Sequence, residues 1–396
     1  MKILLTTRRC GTEQRNPIAI LDLAGYLRSR GHEVCCHYLN QITANTIPQK
    51  PYDFVGLSVL QVMDEHTPVH DAIHLKNRFA AHTVVGGKWT QTLTNKQRDA
   101  LQIHDINIHE GPGEFYFDNS EIDYAAYPSW DSIDFATLDD VQYEVMSTRG
   151  CPFNCHFCHN TERRVSFFSA QRTVDNIELL FKLGMTEIFF VDDVFSLNPT
   201  HMSNIYLELM KRGIHIKDRC TFFAHVNCLN DNTLEWINRY KPKGVQIGVE
   251  SGDNRMLKLM GKGFTREVAY DRIALLHKNG HNVYALFLIG FPGETRESLE
   301  STYDFSQQTK PFVRDVWVSY YQPVKGTKGY NMAVERNADF GHAKRNIDIV
   351  YVDPNLSART LTRYRYKIMD SYGKGRKMRR LIRNTIKRLP CVGNFT

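Results

Sequence analysis

The chain has 396 residues, of which 42% are hydrophobic and 23% are charged. These fractions exclude a disordered or fibrous chain, and at about 150 residues per domain the length predicts two or three domains. No apolar run reaches the ~18–20 residues that cross a bilayer, and the apolar start of the chain is too short for a signal peptide. Nine cysteines without an export signal indicate a reducing compartment, so we predict a cytoplasmic protein.

The net charge of +7 comes from one end of the chain. Residues 355–396 carry twelve Lys and Arg and a single acidic residue, Asp370, so the rest of the chain is slightly acidic. Apolar residues recur at helical spacing in this tail, at Met378, Leu381, Ile382, Ile386 and Leu389. Two interpretations stay open: a helix that docks on the body, or a segment that contacts a phosphate-bearing partner or membrane surface.

Residues 1–110 alternate short apolar strands with amphipathic helices, which predicts a doubly wound parallel sheet covered on both faces. The predicted strands are Ile3–Thr7, Val34–Leu39, Phe54–Val59, Thr83–Val85 and Ile106–His109. The predicted helices are Pro17–Arg30, His66–Phe79 and Asn95–Leu101. Because such sheets bind ligands beyond the carboxyl ends of their strands, we expect a binding rim at the loops Thr7–Asn16, Ser58–Glu65 and Gly86–Trp89.

Residues 111–140 lack periodicity and are predicted to be a linker, and a second alternation of strands and helices follows over residues 141–330. Six strand–helix units predict a partial (β/α) TIM-type barrel rather than a closed one of eight. Its predicted strands are Glu144–Thr148, Glu187–Val191, Cys220–Ala224, Gly244–Val249, Val283–Ile289 and Val316–Tyr321. The predicted helices are Val174–Leu183, Met202–Arg212, Asn232–Tyr240, Arg266–Asn279 and Arg296–Thr309. Residues 331–396 are predicted to form a basic helical extension.

Three cysteines, Cys151, Cys155 and Cys158, follow the first barrel strand with the spacing C-x-x-x-C-x-x-C. Three thiolates in one tight loop can hold an iron–sulfur cluster, and three rather than four ligands leave one iron open. A zinc site needs a fourth ligand, which His156 or His159 would have to supply, so zinc stays open as the alternative metal.

The second half of the chain resembles the radical S-adenosylmethionine superfamily. The resemblance covers Gln142–Gly329 and is based on the cysteine spacing and on three later segments, Phe189–Phe195, Ile247–Thr265 and Leu286–Thr295. It implies a 4Fe–4S cluster on the three cysteines and S-adenosylmethionine at its open iron. It further implies that Phe157 lies beside the adenine.

The other positions of the family site are assigned by the same resemblance. Glu250 would lie near the ribose hydroxyls, Gly290 would let the backbone approach the adenine, and Asp192 or Asp193 would accept from the methionine amino group. Each has a structural alternative: a strand-end carboxylate, a turn glycine and a helix cap.

The N-terminal half is similar to the flavodoxin-like, cobalamin-binding domain of one class within that superfamily. The similarity is carried by Asp53–Ser58, Val84–Gly87 and His109–Glu114 (HEGPGE). It implies a corrinoid on the rim formed by Ser58, Gly86 and Gly87, where glycine permits close backbone approach.

The sequence also departs from this class, so cobalamin binding stays open. No D-x-H-x-x-G motif follows the first strand, so no histidine of the loop Thr7–Asn16 would ligate the cobalt. Lys88–Trp89 replaces the usual histidine after Gly-Gly. In the barrel, Asn227 stands where many members have Arg, and Gln322–Thr327 replaces a more usual Pro-x-Pro-Gly-Thr.

Several further residues are predicted at the rims without an assigned role. Tyr320, Tyr321, His225 and Asp193 are expected at the barrel mouth. Cys10 and Cys228 are candidates for redox or radical-quenching thiols, or else structural. Cys35, Cys36 and Cys220 are expected to be buried structural thiols.

The resemblance implies an enzyme that generates a 5′-deoxyadenosyl radical to modify an unactivated carbon, with cobalamin-dependent C-methylation as the favoured reaction. The alternative is cobalamin-independent dehydrogenation, epimerisation, cyclisation or rearrangement with a vestigial N-terminal domain. The expected partners are a small-molecule or peptide substrate and an electron donor such as flavodoxin or ferredoxin. A non-catalytic cluster-bearing scaffold is the interpretation from another class, and it gives no role to the residues at successive strand ends.

Overall fold

The structure is a computed structural model and describes residues 1–8, 17–39, 50–59, 67–87, 89–90, 93–111, 113–117, 122–130, 143–158, 162–336 and 349–373. The predictions for the basic tail beyond residue 373, for Cys10, His159 and Lys88, and for most of the loops Thr7–Asn16 and Ser58–Glu65 lie outside these residues. Within them, no helix is both long and apolar enough to span a membrane.

The first sheet is parallel, with the order β2-β1-β3-β4-β5 in the described part of the chain. Its strands are β1 (Lys2–Arg8), β2 (Glu33–Leu39), β3 (Phe54–Ser58), β4 (His82–Gly86) and β5 (Ile106–Ile108). The helices with it are α1 (Ile18–Ser29), α2 (Thr67–Phe79), α3 (Asn95–Ile103) and the short α4 (Glu114–Phe117). Since β1 lies between β2 and β3, the strand order reverses at β1, and sheets of this kind bind ligands in a crevice beyond the strand ends at such a reversal. The predicted doubly wound sheet is confirmed.

The second sheet is parallel throughout, with the order β13-β12-β11-β10-β9-β6. Its strands are β6 (Glu144–Val145), β9 (Ile188–Phe190), β10 (Cys220–Ala224), β11 (Gly244–Glu250), β12 (Val283–Ile289) and β13 (Val313–Tyr320). The helices between them are α5 (Ala170–Lys182), α6 (Pro199–Lys211), α7 (Asp231–Tyr240), α8 (Asn254–Leu259), α9 (Arg266–Lys278) and α10 (Arg296–Thr309). In the described part of the chain these six parallel strands form an open sheet, which confirms the predicted partial barrel.

The first barrel strand is shorter than predicted. The sequence predicted Glu144–Thr148, but β6 stops at Val145 because the Ser147 N–H donates to the Asp192 side chain (3.0 Å) instead of to a neighbouring strand. The chain then forms β7 (Thr148–Arg149), which pairs antiparallel with β8 (Ser166–Phe167). This small hairpin holds both ends of the cysteine segment, residues 151–158.

A buried network of four charged side chains, which we call the clasp, joins the two halves of the chain. It consists of Asp22 on α1, Glu114 on α4, Arg149 on β7 and Arg172 on α5. Arg149 Nη1 lies 2.9 Å from Glu114 Oε1 and its Nη2 lies 3.5 Å from Asp22 Oδ2, while Arg172 pairs with Asp22 Oδ1. The two carboxylates are almost fully buried. Their charges are balanced by the two arginines.

The described part of the predicted linker packs against this clasp. Trp130 Nε1 donates to Asp22 Oδ1 (2.7 Å), and the Tyr127 hydroxyl donates to Glu114 Oε1. Both aromatic residues belong to one hydrophobic core that contains side chains of α1, α5 and the second sheet. Residues 122–130 are therefore a packed bridge between the two halves.

The described residues of the segment after the barrel form the helices α11 (Lys328–Glu335) and α12 (Ala358–Ser371). Arg365 Nε donates to the Val318 carbonyl of β13 (2.9 Å), and Leu361 of α12 is fully buried. Asp353, also fully buried, pairs with Arg336 (2.6 Å) and accepts from the Gly293 N–H (2.8 Å). The extension thus packs against the turn after β12 and stabilises it.

Candidate functional site

The cysteine segment is docked on the residues that follow α8. The His156 N–H donates to the Met260 carbonyl (2.8 Å), and its Nδ1 donates to the Leu259 carbonyl (2.7 Å). From the other side, the Gly329 N–H donates to the His156 carbonyl (2.8 Å). These bonds fix the middle of the loop, and His156 is thereby engaged in holding the loop in place.

The three cysteines of the loop are free thiols of intermediate burial. Burial raises the pKa of Cys151 to about 11, with a smaller contribution from the negative charge of Asp193. Burial also raises the pKa of Cys155, which the positive charge of Lys262 opposes. The electrostatic influence of Cys155 and Cys158 on Cys151 places the three thiols in one neighbourhood.

This donor set fits a cluster better than a single ion. Each thiolate on a 4Fe–4S cluster binds a different iron, so the sulfurs surround a cluster instead of converging on one point. In the described ranges, no three His, Cys, Asp or Glu side chains are grouped around a single-ion site. Of the other cysteines, Cys220 and Cys228 are buried, and burial raises the pKa of Cys228 to about 11, as expected of an unreactive thiol.

Glu250 ends β11 in a conformation that non-glycine residues rarely adopt. Its φ is +68°, and the strand register shifts between Gly248 and Glu250. A Cβ on Gly248 would lie 2.5 Å from Glu250 Oε1, so a side chain there would displace the carboxylate. A strained residue at a strand end is a common feature of functional sites, because the surrounding structure must hold it in place.

Lys262 is the main site residue that the sequence reasoning missed. Its side chain is only 4% exposed, and its Nζ lies 3.3 Å from Glu250 Oε1. The ammonium also lies 5.7 Å from the centre of the Phe157 ring. Phe157 itself packs against a small core with Met256, Met260 and Phe291. The Gly-Lys-Gly sequence at residues 261–263 was the available signal, because paired glycines around a lysine indicate an unusual turn.

His225, predicted at the barrel mouth, is packed against the cysteine segment. Its ring stacks on Phe153, with centroids 3.7 Å apart and planes 10° apart. Nδ1 accepts from the Asn227 N–H (3.2 Å), and Nε2 is buried with no partner among the described residues. Burial lowers the pKa of His225 to about 3, and the charge of Lys262 lowers it further, so the imidazole is neutral.

The two aspartates after β9 have different environments. Asp192 is fully buried, and its Oδ1 accepts from the hydroxyls of Ser147 (2.9 Å) and Thr148 (2.6 Å). Burial raises its pKa to about 6. Asp193 is exposed and lies near enough to Cys151 to raise the pKa of that thiol. Asp192 thus holds the hairpin strand β7, and Asp193 is the member of the pair beside the cysteines.

Gly290 has a structural reason to be glycine. Its φ is +82°, and a Cβ there would lie 3.1 Å from the side chain of Leu361 on α12. Its N–H donates to Glu294 Oε2 (2.9 Å). Glu294 is nearly fully buried, and burial raises its pKa to about 7. The turn after β12 is therefore shaped by this chain's own packing.

At the rim of the first sheet, Ser58, Gly86 and Thr7 lie side by side at the ends of β3, β4 and β1. Gly87 has φ +94°, and a Cβ there would lie 2.4 Å from the Val59 carbonyl oxygen, so this glycine is required by the fold. Gly86 differs, because an added Cβ would meet only the His109 carbonyl oxygen at 3.8 Å. Gly87 thus has a structural requirement of its own, and the expectation that Gly86 and Gly87 serve a ligand stays a prediction.

Comparison with known families gives a match within the barrel half of the chain. Residues 145–306 match the radical SAM superfamily, the same region that holds the cysteine segment and Glu250. The barrel therefore carries the radical SAM domain that the sequence predicted, a family that implies a 4Fe–4S cluster and S-adenosylmethionine as cofactors.

Two methyltransferases are similar in sequence to parts of this chain. An uncharacterized methyltransferase of Pyrococcus horikoshii is 31% identical over 54% of this chain and 48% of its own length. The bacteriochlorophyllide d C-12(1)-methyltransferase of Chlorobaculum tepidum is 23% identical over 69% of this chain and 65% of its own. This chain thus spans about half of the first relative and somewhat under two thirds of the second.

Two solved structures share the fold of both halves. The radical S-adenosylmethionine methyltransferase TsrM of Kitasatospora setae, solved with cobalamin and a 4Fe–4S cluster, aligns with a TM-score of 0.68 at 15% identity, over 92% of this chain and 84% of that chain. The cobalamin-dependent enzyme OxsB aligns with a TM-score of 0.67 at 18% identity, over 83% of this chain and 54% of that chain. The architecture of a cobalamin-binding-like sheet followed by a radical SAM barrel is therefore confirmed.

Proposed function

We propose that this protein is a cobalamin-dependent radical S-adenosylmethionine methyltransferase that acts on an unactivated carbon of a small-molecule or peptide substrate. The observation that carries the proposal is the strand-order reversal of the first sheet, where a binding crevice is expected, in a half of the chain that the buried clasp joins to the barrel. A corrinoid in that crevice has a defined position relative to the cysteine segment. Proteins with this fold, TsrM and OxsB, bind cobalamin, which supports the same cofactor here.

We propose a division of roles along the chain that follows the predicted domains. Residues 1–110 would bind the corrinoid, and residues 141–330 would hold the cluster and S-adenosylmethionine. Residues 111–140 would connect these two parts, and residues 331–396 would support the barrel. A one-electron donor such as flavodoxin or ferredoxin would reduce the cluster. When bound, the cluster and S-adenosylmethionine supply radical formation, and the corrinoid supplies the methyl carrier.

The side chains of the barrel would bind, orient and shield these groups. Cys151, Cys155 and Cys158 would hold the cluster, and Asp193 rather than Asp192 would accept from the methionine amino group. Glu250, kept in place by its bulge, would accept from the ribose hydroxyls. Phe157 would pack beside the adenine at the turn formed by Gly290. A buried, largely apolar surrounding excludes water from a reactive radical.

At the first rim, Ser58 and Gly86 are proposed to face the corrinoid. Because the loop Thr7–Asn16 contains no histidine, we expect the cofactor to bind base-off without an axial imidazole from that loop. Among the described residues, a Cβ at Gly86 would meet only the His109 carbonyl oxygen, at an ordinary contact distance of 3.8 Å. Gly86 is thus the position where close approach of a ligand can be tested separately from folding.

The experiment is a titration with hydroxocobalamin, followed by absorbance, of protein reconstituted anaerobically to about four irons per chain. We expect uptake of one corrinoid, an EPR spectrum of the cob(II)alamin state without axial-nitrogen splitting, weaker uptake by Gly86→Ala and almost none by Gly86→Leu. Iron content and thermal unfolding of the two variants should match the wild type. A wild-type protein that loads iron and takes up no corrinoid would exclude methylation by this route and favour the cobalamin-independent reactions.

A further inference from the structure

An exposed tryptophan lies on an edge strand of the barrel sheet. In the described part of the chain, β13 is the outermost strand on one side, and Trp317 on it is 42% exposed. The residues before and after it, Val316 and Val318, are buried in the core that contains Leu361 of α12, and α12 is hydrogen-bonded to β13. Because successive side chains of a strand point to opposite faces, Trp317 points away from α12.

The strand register brings Trp317 onto the same face as the candidate site. Gly248 of β11 pairs with Leu286 of β12, and Leu286 pairs with Trp317 of β13, so all three share one face of the sheet. A Cβ on Gly248 would lie 2.5 Å from Glu250 Oε1 and 3.4 Å from Lys262 Nζ, so this is the face on which the Glu250 carboxylate lies. Since neighbouring strands are about 4.8 Å apart, the Trp317 Cα lies about 10 Å from the Gly248 Cα.

We call Gly248, Leu286 and Trp317 the shelf. Gly248 adds no side chain at the inner end, Leu286 is half-buried in the middle, and Trp317 ends the row at the edge of the sheet. Leu288, two residues after Leu286 on the same face, packs against the small core that contains Phe157. A lone exposed apolar side chain is ordinary, but this one continues an apolar row that begins at the candidate site. The shelf therefore offers an apolar surface from the site to the open side of the barrel.

The charges beside the shelf disfavour an anionic ligand group. At the outer end, Asp315 Oδ1 accepts from the Val316 N–H (2.8 Å), which holds this carboxylate close to Trp317. At the inner end, Glu250 is paired with the buried Lys262 (3.3 Å). A negative charge on a group bound at Trp317 would be repelled by Asp315, whereas an uncharged aromatic ring can stack on the indole.

We propose that Trp317 determines substrate specificity by binding a flat aromatic or conjugated group, without negative charge, on the shelf. The indole stacks on this group, and Leu286 supplies the apolar contact beside it. The missing side chain at Gly248 leaves room for the substrate to continue toward Glu250. The assignment rests on the proposed function and names the class of substrate that the barrel takes.

The test is a titration of the iron-loaded protein with 6-fluoro-2-naphthamide, followed by fluorine NMR. Trp317→Ala should weaken binding by about 2- to 12-fold, the worth of an aromatic pair, and Trp317→Phe should retain most of the affinity. Leu207→Ala, which shortens a 56% exposed side chain on α6, is the matched control and should bind as the wild type. The anionic 6-fluoro-2-naphthoate should bind more weakly than the amide, and Asp315→Asn should narrow that difference.

The position of the probe is measured with the reduced cluster, which is paramagnetic and broadens the fluorine signal of a molecule bound close to it. We expect broadening in the iron-loaded protein and none in the iron-free protein. Equal affinity of the wild type and Trp317→Ala for the amide, or broadening that does not depend on iron, would overturn the assignment. Protein that takes up no corrinoid but binds the amide through Trp317 would overturn the proposed methylation and support the shelf as an aromatic site.

Discussion

The rims at the carboxyl ends of the two sheets differ in the chemistry of their residues. The barrel rim contains specific side chains in demanding environments: a glutamate at φ +68°, a lysine with 4% exposure and a histidine whose buried Nε2 has no partner among the described residues. The described part of the first rim offers a glycine, two hydroxyls and backbone at a strand-order reversal. The described barrel rim therefore offers charge and placed donors, whereas the described part of the first rim offers mainly backbone and small side chains.

This difference predicts that the two sites load independently. Cys155→Ala should abolish cluster assembly, because two thiolates do not hold the cluster, and it should leave hydroxocobalamin uptake unchanged. Iron analysis and the corrinoid titration on the same sample provide the two measurements. Cys220→Ala, at a fully buried thiol on β10, should keep the cluster and serves as the control. Loss of corrinoid binding in Cys155→Ala would show that the two rims form a single site.

A substitution in the clasp measures how much this network contributes to the free energy of unfolding. Arg149→Met leaves the Glu114 carboxylate buried without its ion-pair partner, and breaking a buried pair costs about 3–5 kcal/mol of the free energy of unfolding. Urea unfolding of the iron-free protein measures it. Glu114→Gln in the same chain should recover part of the loss, because the unpaired charge is then gone.

The control for the clasp is an exposed pair. Arg239→Met removes the partner of Glu235 on the surface of α7, where both side chains are more than half exposed, and should cost under about 1 kcal/mol. If Arg149→Met were no more destabilising than Arg239→Met, the clasp would not be what joins the two halves.

The smallest predicted effect is a difference in pH-dependent stability between variants of the two aspartates after β9. The pKa of Asp192 is about 6 in the folded protein against 3.8 unfolded, so the folded state holds the proton more tightly. Its contribution to stability is therefore present at low pH and is lost as the pH rises from about 4 to 6. Asp192→Asn cannot ionise and should remove this fall, which amounts to about 1–3 kcal/mol, in denaturation series at several pH values.

Asp193→Asn is the matched comparison at the neighbouring exposed position. It should keep the pH dependence of the wild type and weaken S-adenosylmethionine binding, whereas Asp192→Asn should leave that binding unchanged. The reverse pattern would return the amino-group role to Asp192.

Much of this protein was readable from its sequence because the signals are local. The strand–helix alternation predicted both sheets, since periodicity reports which side of each element is buried. The cysteine segment was legible because its three candidate ligands lie within eight residues, and Glu250 became a candidate because the segment Ile247–Thr265 resembles the family. Helix α8 and the break in the first barrel strand escaped, because short elements follow tertiary hydrogen bonds more than local pattern.

Only the tertiary structure decided the contacts between residues that lie far apart in the chain. Nothing local places Phe153 on His225, Lys262 beside Glu250 and Cys155, or Asp22 against Arg149 and Arg172. The sequence also does not distinguish Gly86 from Gly87. Only in the fold does the Val59 backbone leave no space for a Cβ at position 87, whereas no described residue excludes one at position 86. The physical reason is the same in each case: burial and pairing depend on which faces of distant elements pack together, and that is a property of the assembled fold.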